Sequence, residues 1–512
     1  MSVAQLLNAD LFAPAEPSER EFHLCRIWNH PRFRILNYTQ NLFMGKEVIR
    51  QKHVGSLTAI LGLWLLVVGQ VLALSPEEKA AAIIQASPVV QKIKQNFKPE
   101  YGKLSFFVNG LTGELGELPS ERRERQNDHL VPSIEGRNEH FGGSGSLSRI
   151  AVLLDQHGKA VNVVSEKNTT IPPEFLSAIV DARYVHLRRS MFINDKMDLS
   201  QFYQLERLSI SAVDNVRHII LPQSGRLNKL LISGEEIRLI SNLEKQVNLD
   251  VLISYVINSS SFNGINKIKS LKFLSIDLSS LNINVGSLKN LEKLRLKNPG
   301  YKNIATVHNL DKLRELSIDG MKDSIFKGLA LPKNLEKISI YDVKKGSLPK
   351  ISNLPKLTDL SFLHIEDNIL KNMANLPNLK ELFGSDVDLP TLDGIDKLPS
   401  LVKVNLTNNG TVDISSVASL PNLEGLFVRE NDLDNISVIA EMPWLKAVDV
   451  SFNRLMSLPK LKPGNNLRRI DFSYNPIEVI SPEVLASYSS VRKRAYNTPF
   501  YQSLTHEQRR AF

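Results

Sequence analysis

Residues Leu423 to Asn431 read Leu-Glu-Gly-Leu-Phe-Val-Arg-Glu-Asn, and this stretch carries the pattern that decides the fold. Its first, fourth and sixth positions are leucine or another apolar residue. The same motif begins at thirteen places along the chain: Leu205, Leu227, Leu249, Leu271, Leu291, Leu313, Leu335, Leu357, Leu379, Leu401, Leu423, Leu445 and Leu467. Eleven of the twelve intervals are 22 residues and one is 20. Only Ser254 and Gly384 break the apolar rule, so the chain is built from a true internal repeat.

The spacing within the motif predicts a short β-strand. Successive side chains of a strand point to opposite faces, so the fourth and sixth positions face one interior and the fifth faces outward. One strand cannot bury that apolar face alone. Stacking successive repeats at about 4.8 Å forms a continuous parallel sheet over a continuous apolar core.

Asparagine follows the motif in the last four repeats, at Asn409, Asn431, Asn453 and Asn475. With this asparagine the chain resembles the leucine-rich-repeat superfamily, in the 22-residue class whose bacterial members include the internalins. The resemblance implies an α/β repeat solenoid, a curved array with a parallel β-sheet on its concave face and short 3₁₀ or extended segments on its convex face. It also implies that each asparagine amide hydrogen-bonds the backbone of neighbouring coils. The earlier repeats lack the asparagine, and we expect them to be less regular; their residues there are Val213, Glu235, Ile257, Ser279, Pro299, Met321, Val343, Ile365 and Val387.

An uncharged apolar run extends from Val54 to Leu74, after the basic stretch Met44–His53. Its 21 residues would span about 30 Å as a helix, which is the thickness of a bilayer core. If translation starts at Met44, the run is a secretory signal with a cleavage site after Ala73. If residues 1–43 are made, it is an uncleaved anchor. Both interpretations place the repeats outside the cytoplasm, whereas a buried core helix would need an amphipathic pattern that the run lacks.

The remaining chain divides by composition and repeat pattern. We expect a leader at 1–43, a signal or anchor at 44–74 and a helical or irregular region with a linker at 75–148. A cap follows at 149–200, then the solenoid of thirteen coils at 201–480 and a C-terminal cap with a basic tail at 481–512. Within these regions we predict a helix at Glu77–Phe97, a hairpin of Ile150–Leu154 and Lys159–Val164, a helix at Pro172–Ile179, a degenerate coil at Ala182–Leu187, a capping helix at Pro482–Tyr488 and a solvated basic tail at Arg492–Arg494.

Composition and motifs favour binding over catalysis. The single cysteine, Cys25, precludes an intrachain disulfide, and the histidines are too scattered to indicate a metal site. No cysteine follows the repeats, which excludes the catalytic-cysteine ubiquitin ligases that some bacterial repeat effectors carry. We expect neither an enzyme nor a cofactor. A net charge of +9 on 512 residues is modest and does not indicate nucleic-acid binding.

The third, fifth and seventh positions of each motif face outward, and the resemblance places them on the concave face. Aromatic residues and arginines are typical anchors of protein interfaces. We therefore predict an extracytoplasmic module, secreted, periplasmic or membrane-anchored through 54–74, that binds a protein of a host or of the envelope. The alternative is an envelope-associated structural protein that binds an anionic glycan or polymer. The candidate contact residues are Tyr255, Phe273, Lys293, Arg295, Lys297, Tyr341, Leu363, Phe383, Phe427, Arg429 and Arg469.

Overall fold

A computed structural model describes residues 76–98, 103–108, 149–165, 169–234, 236–255, 262, 264–279 and 283–512. The predicted leader at 1–43, the signal or anchor at 44–74 and the glycine- and serine-rich stretch 142–146, which is the predicted linker, lie outside these residues. Among the helices that the structure describes, none combines the length and the apolar character needed to cross a bilayer. The chain divides into two compact units, residues 1–224 (unit 1) and residues 225–512 (unit 2).

Unit 1 contains short helices and strands. The helices are α1 (Pro76–Ala86), α2 (Pro88–Asn96) and α3 (Pro173–Ala178). The strands are β1 (Lys103–Val108), β2 (Arg149–Leu154), β3 (Ala160–Ser165), β4 (Thr169–Ile171), β5 (Tyr184–Arg188), β6 (Ser190–Phe192), β7 (Lys196–Asp198), β8 (Arg207–Ser211) and β9 (His218–Ile220).

The main sheet of unit 1 runs in the order β1, β2, β3, β5, β8. Strands β2 and β3 form the predicted antiparallel hairpin, and the other neighbours pair in parallel. The predicted degenerate coil is confirmed as β5, which pairs with β8 in the register of a full repeat. Helix α3 confirms the helix expected before it.

Two features of the N-terminal region differ from the prediction. The helix expected at Glu77–Phe97 is interrupted at Ser87, which caps α2 by accepting a hydrogen bond from the Val90 N–H, while Pro88 occupies the first turn. Proline suits a first turn and disrupts a helix interior, which explains the break. Strand β1 was not predicted, because its six residues stand alone between segments without a repeat pattern.

The His186 imidazole predicts a pH dependence of stability. Burial lowers its pKa, with a further contribution from the positive charge of Arg188, and its Nδ1 has no hydrogen-bond partner in the described part of the chain. The unfolded chain therefore binds a proton that the folded protein does not, so stability falls as pH drops below about 6.5. We expect the urea midpoint to fall from pH 7 to 5.5 in the wild type and to fall less in His186→Leu. An equal fall of the urea midpoint in the two proteins would show that His186 is not the source of the pH dependence.

Unit 2 is a stack of coils, each with one strand of a parallel sheet. The thirteen described strands of that sheet are β10 (Lys229–Ser233), β12 (Val251–Ser254), β13 (Phe273–Asp277), β14 (Lys293–Lys297), β15 (Glu315–Asp319), β16 (Lys337–Val343), β18 (Asp359–Ile365), β20 (Glu381–Val387), β21 (Lys403–Thr407), β22 (Gly425–Phe427), β23 (Ala447–Asp449), β24 (Arg469–Asp471) and β25 (Arg492–Arg494). Short strands β11 (Leu239–Ser241), β17 (Ile351–Ser352) and β19 (Met373–Ala374) lie elsewhere in the coils.

The connections opposite the sheet are short, as a 22-residue coil requires. Most are 3₁₀ helices of three to five residues, and the single turn α4 (Tyr301–Ile304) is α-helical. The 3₁₀ helices are Leu243–Lys245, Ile265–Lys267, Val285–Ser287, Val307–Asn309, Ser324–Gly328, Ile369–Asn372, Ile395–Lys397, Ser415–Ser419 and Ser437–Glu441. The predicted 3₁₀ or extended segments are thereby confirmed.

The register of the sheet places equivalent repeat positions side by side. Leu294 aligns with Leu316, Leu316 with Ile338 and Ile338 with Leu360, one coil apart each time. The twelve first-position leucines of unit 2 are at most 5% exposed, so they form a continuous core. At the exception, Gly384, an added Cβ would make a tight contact of 3.0 Å with Leu406 Cδ2.

The four asparagines form the predicted ladder of backbone hydrogen bonds. In one coil, Asn431 Oδ1 accepts from the N–H groups of Asn409 and Thr411, each at 3.0 Å, and Nδ2 donates to the Leu406 carbonyl at 2.8 Å. Asn453 and Asn475 donate to the previous coil in the same way. All four side chains are at most 7% exposed, so each satisfies backbone groups that water cannot reach.

The middle coils, expected to be less regular, replace the ladder with apolar packing. Val343, Ile365 and Val387 occupy the asparagine position and are each 2% exposed. They continue strands β16, β18 and β20 to seven residues and pair in register with one another. The prediction of irregularity was wrong for these coils, because buried apolar side chains and a longer strand also keep the register.

The C-terminal end is a folded cap rather than a solvated tail. Helix α5 (Pro482–Ser487) confirms the predicted capping helix, and Arg492–Arg494 forms β25, paired with β24. Helices α6 (Pro499–Ser503) and α7 (His506–Ala511) follow. The ring of Phe512 lies 6.2 Å from Phe472 and 5.4 Å from Lys493 Nζ. The exposed end of the apolar core is therefore covered, as repeat stacks require.

Candidate functional site: the outward face of the repeat sheet

The outward face of the sheet in unit 2 consists of the third, fifth and seventh positions of each motif, and we call it the sheet surface. Its third-position column follows the strand register without interruption. That column contains Lys229, Val251, Phe273, Lys293, Glu315, Lys337, Asp359, Glu381, Lys403, Gly425, Ala447, Arg469 and Arg492. Side chains from distant parts of the sequence therefore lie side by side.

The fold follows from this register, from the buried leucine core and from the asparagine ladder. The chain has a leucine-rich-repeat fold. Parallel strands that recur every 22 residues, short outer connections and asparagines that bond across coils are the features that this fold combines.

Comparisons with solved structures return other leucine-rich-repeat proteins. An internalin of Listeria monocytogenes is 17% identical, covering 66% of this chain and 87% of that chain, with a TM-score of 0.36. A leucine-rich-repeat protein of Leptospira interrogans is 19% identical, covering 64% and 89%, with a TM-score of 0.42. TLR13 in complex with ssRNA13 is 17% identical, covering 67% and 58%, with a TM-score of 0.45. No protein-family model and no curated protein matches the chain.

The aromatic and aliphatic candidates on the sheet surface differ in exposure. Tyr255 and Phe383 are 48% and 38% exposed, and Tyr341 and Leu363 are half-buried. Phe273 is only 6% exposed, and the Arg295 guanidinium lies 5.6 Å from its ring centre. The surface available to a partner is therefore carried by Tyr255 and Phe383 rather than by Phe273.

The positively charged candidates Lys293, Arg295 and Lys297 form a cluster on β14 that is partly neutralised within the protein. Lys293 Nζ lies 2.9 Å from Glu315 Oε1 on the next strand. Lys297 aligns in register with Asp319. The pKa of Asp319 is raised overall, mainly by burial and then by the charge of Asp342, although the charge of Lys297 acts in the opposite direction. The cluster is thus part of a charge-paired surface, and exposed pairs of this kind contribute little to stability.

The C-terminal candidates Phe427, Arg429 and Arg469 lie beside further aromatic residues and arginines that were not predicted as contact residues. The guanidinium of Arg469 lies 5.6 Å from the Phe427 ring centre. Arg429 lies 4.6 Å from the ring centre of Phe452, which stacks on Tyr474 with the ring centres 4.0 Å apart. Arg492 and Arg494 join the same surface through β25. Their repeat escaped recognition because Ser490 and Lys493 occupy the first and fourth positions.

Polar side chains at the eighth position of the middle coils lie next to one another. His364 Nδ1 lies 3.1 Å from Asp342 Oδ1, and His364 Nε2 lies 3.6 Å from Asp386 Oδ2. All three residues have positive φ, between 50° and 55°, which turns the chain at the edge of the strand. Within the described residues, no group of three histidine, cysteine or acidic side chains is placed to hold a metal ion.

Proposed function

We propose that this protein is a binding module that recognises another protein through the sheet surface. The observation that carries the proposal is the exposure of Phe383 and Tyr255 on a sheet that is otherwise charged and serine-rich. Exposed aromatic side chains cost solvation energy in a free protein, and they are the residues that contribute most to protein interfaces. A continuous surface of parallel strands also supplies the area that a stable interface needs.

We also propose that the module is extracytoplasmic and non-catalytic. The location rests on the uncharged run Val54–Leu74 and its basic flank, which are typical of a signal or an anchor. In this account the segment exports or anchors the chain, and the repeats carry recognition.

Binding of an anionic polymer is the weaker alternative. It was suggested by the cluster Lys293–Lys297, but Lys293 is paired with Glu315, and Lys337 and Lys403 are similarly paired with Asp359 and Glu381. A surface of alternating charges presents no extended positive track. If a purified partner bound only at low salt and with equal affinity to several polyanions, this alternative would be preferred.

The test compares two double variants of the full chain. Phe383→Asp with Tyr255→Asp places two charges on the sheet surface. Met456→Asp with Val479→Asp places two charges at apolar positions that are 75% and 73% exposed and lie outside the strands. Immobilised proteins are used to capture partners from extracts and medium of the source organism, and each captured protein is purified and titrated.

We expect a partner that binds the wild type and the Met456/Val479 variant equally and binds the Phe383/Tyr255 variant at least about tenfold more weakly. Circular dichroism and thermal unfolding establish that both variants are folded. A partner that binds both variants as tightly as the wild type, or loses affinity only for the Met456/Val479 variant, would place the interaction away from the sheet surface.

A further inference from the structure

A small cavity of about 160 Å³ opens on the sheet surface near the C-terminal cap, across strands β22 to β25. We call it the arginine pocket. Its lining residues are Phe427, Val448, Asp449, Arg469, Ile470, Asp471, Arg492 and Arg494. Cavities for cofactors and drug-sized molecules occupy about 300 to 1,000 Å³, so this cavity is of the size of one amino-acid side chain.

The positive charges of the arginine pocket are not fully compensated. Arg494 Nη1 lies 3.9 Å from Asp471 Oδ2. The Oδ1 atoms of Asp449 and Asp471 accept hydrogen bonds of 3.0 Å from the backbone N–H groups of Ser451 and Ser473. Within the described part of the chain Arg492 forms no ion pair, and the guanidinium of Arg469 lies over the face of the Phe427 ring.

The arginines Arg469 and Arg492 differ from most other charged residues of the third-position column in the neighbours that the strand register gives them. Elsewhere in the third-position column three of the four lysines, Lys293, Lys337 and Lys403, pair with a carboxylate on an adjacent strand. Arg469 and Arg492 instead align directly with each other, on neighbouring strands. Like charges in register repel, and an anion between them would relieve that repulsion.

We propose that the arginine pocket binds the carboxylate of an aspartate or glutamate side chain presented by the protein partner. The inference rests on the proposed function and specifies the chemistry of the partner at one end of the sheet surface. Guanidinium groups match carboxylates with paired, charge-assisted hydrogen bonds, and Phe427 provides an apolar wall for the methylene carbons of the same side chain. The bound segment is acidic at the residue that enters the cavity and crosses the strands over Phe427.

The probe is a displayed library of random twelve-residue peptides, selected on the immobilised full chain. Enriched peptides are synthesised with a fluorescent label and titrated by anisotropy. The test variant is Arg469→Gln with Arg492→Gln. The matched control is Lys337→Gln with Lys403→Gln, which removes the same charge from the same column of the sheet. Each peptide is also made with its acidic residues changed to the corresponding amides.

We expect enriched peptides to share an acidic residue, to lose at least about tenfold in affinity for the arginine variant and to bind the lysine control nearly as well as the wild type. The amide peptides should show the same loss on the wild type and no further loss on the arginine variant. Acidic peptides that bind the arginine variant normally, or weaken equally on both variants, would overturn the pocket. Selection of peptides without acidic residues that depend on Phe383 would overturn it too, while leaving the proposed function intact.

Discussion

Replacing Asn431 by alanine is expected to lower the free energy of unfolding by about 3 to 5 kcal/mol. The side chain accepts from two backbone N–H groups and donates to the carbonyls of Leu406 and Arg429, and it is 7% exposed. Alanine leaves these groups buried without partners, and each unsatisfied group costs about 1 to 3 kcal/mol. Urea unfolding followed by circular dichroism measures the loss.

The matched control is Asn422→Ala in the same coil. Asn422 is exposed and donates one hydrogen bond, of 3.1 Å, to the Pro399 carbonyl. Water replaces that bond on removal, so we expect a loss of about 1 kcal/mol or less. Similar losses for the two variants would show that the ladder does not carry the stability assigned to it.

The second large effect concerns the core side of the same sheet. Phe362 in β18 is at a sixth position and is fully buried, so Phe362→Ala is expected to lower the free energy of unfolding by about 3 to 5 kcal/mol by leaving a cavity. Phe383 in β20 is at a fifth position and is 38% exposed. The substitution Phe383→Ala is expected to change stability by only about 0.5 kcal/mol.

Both variants are measured by the same urea titration, so that the identical chemical change is compared on the two faces of the sheet. A loss for Phe383→Ala as large as that for Phe362→Ala would contradict the assignment of the faces. A small loss at Phe362 would mean that the core beneath β18 can collapse around the missing ring.

The fold could be predicted from the sequence because its determinants recur. A leucine every 22 residues specifies a strand, its inward face and its neighbours, and all thirteen predicted motifs carry a strand in the structure. The asparagine position was also predictable in the last four coils. The lack of asparagine did not make the middle coils irregular. There the packing of Val343 and Ile365 keeps the strand register, as the asparagine hydrogen bonds do in the last four coils.

The parts that escaped prediction lack a repeating signal. Strand β25 has Lys493 at a position that is apolar in the other coils, because the cap rather than another coil covers it. The exposure of individual surface residues was likewise not predictable from motif position. Phe273 and Phe383 occupy outward positions, yet one is covered by Arg295 and the other faces solvent.

A cysteine scan along β21 tests most directly the claim that one face of the repeat sheet is presented to solvent for binding. Single cysteines are introduced in a Cys25→Ser background, and labelling by a maleimide reagent is timed under native conditions. The structure predicts fast labelling of Lys403→Cys, Asn405→Cys and Thr407→Cys, and labelling of Val404→Cys and Leu406→Cys only after unfolding. Uniform labelling, or the opposite alternation, would contradict the account.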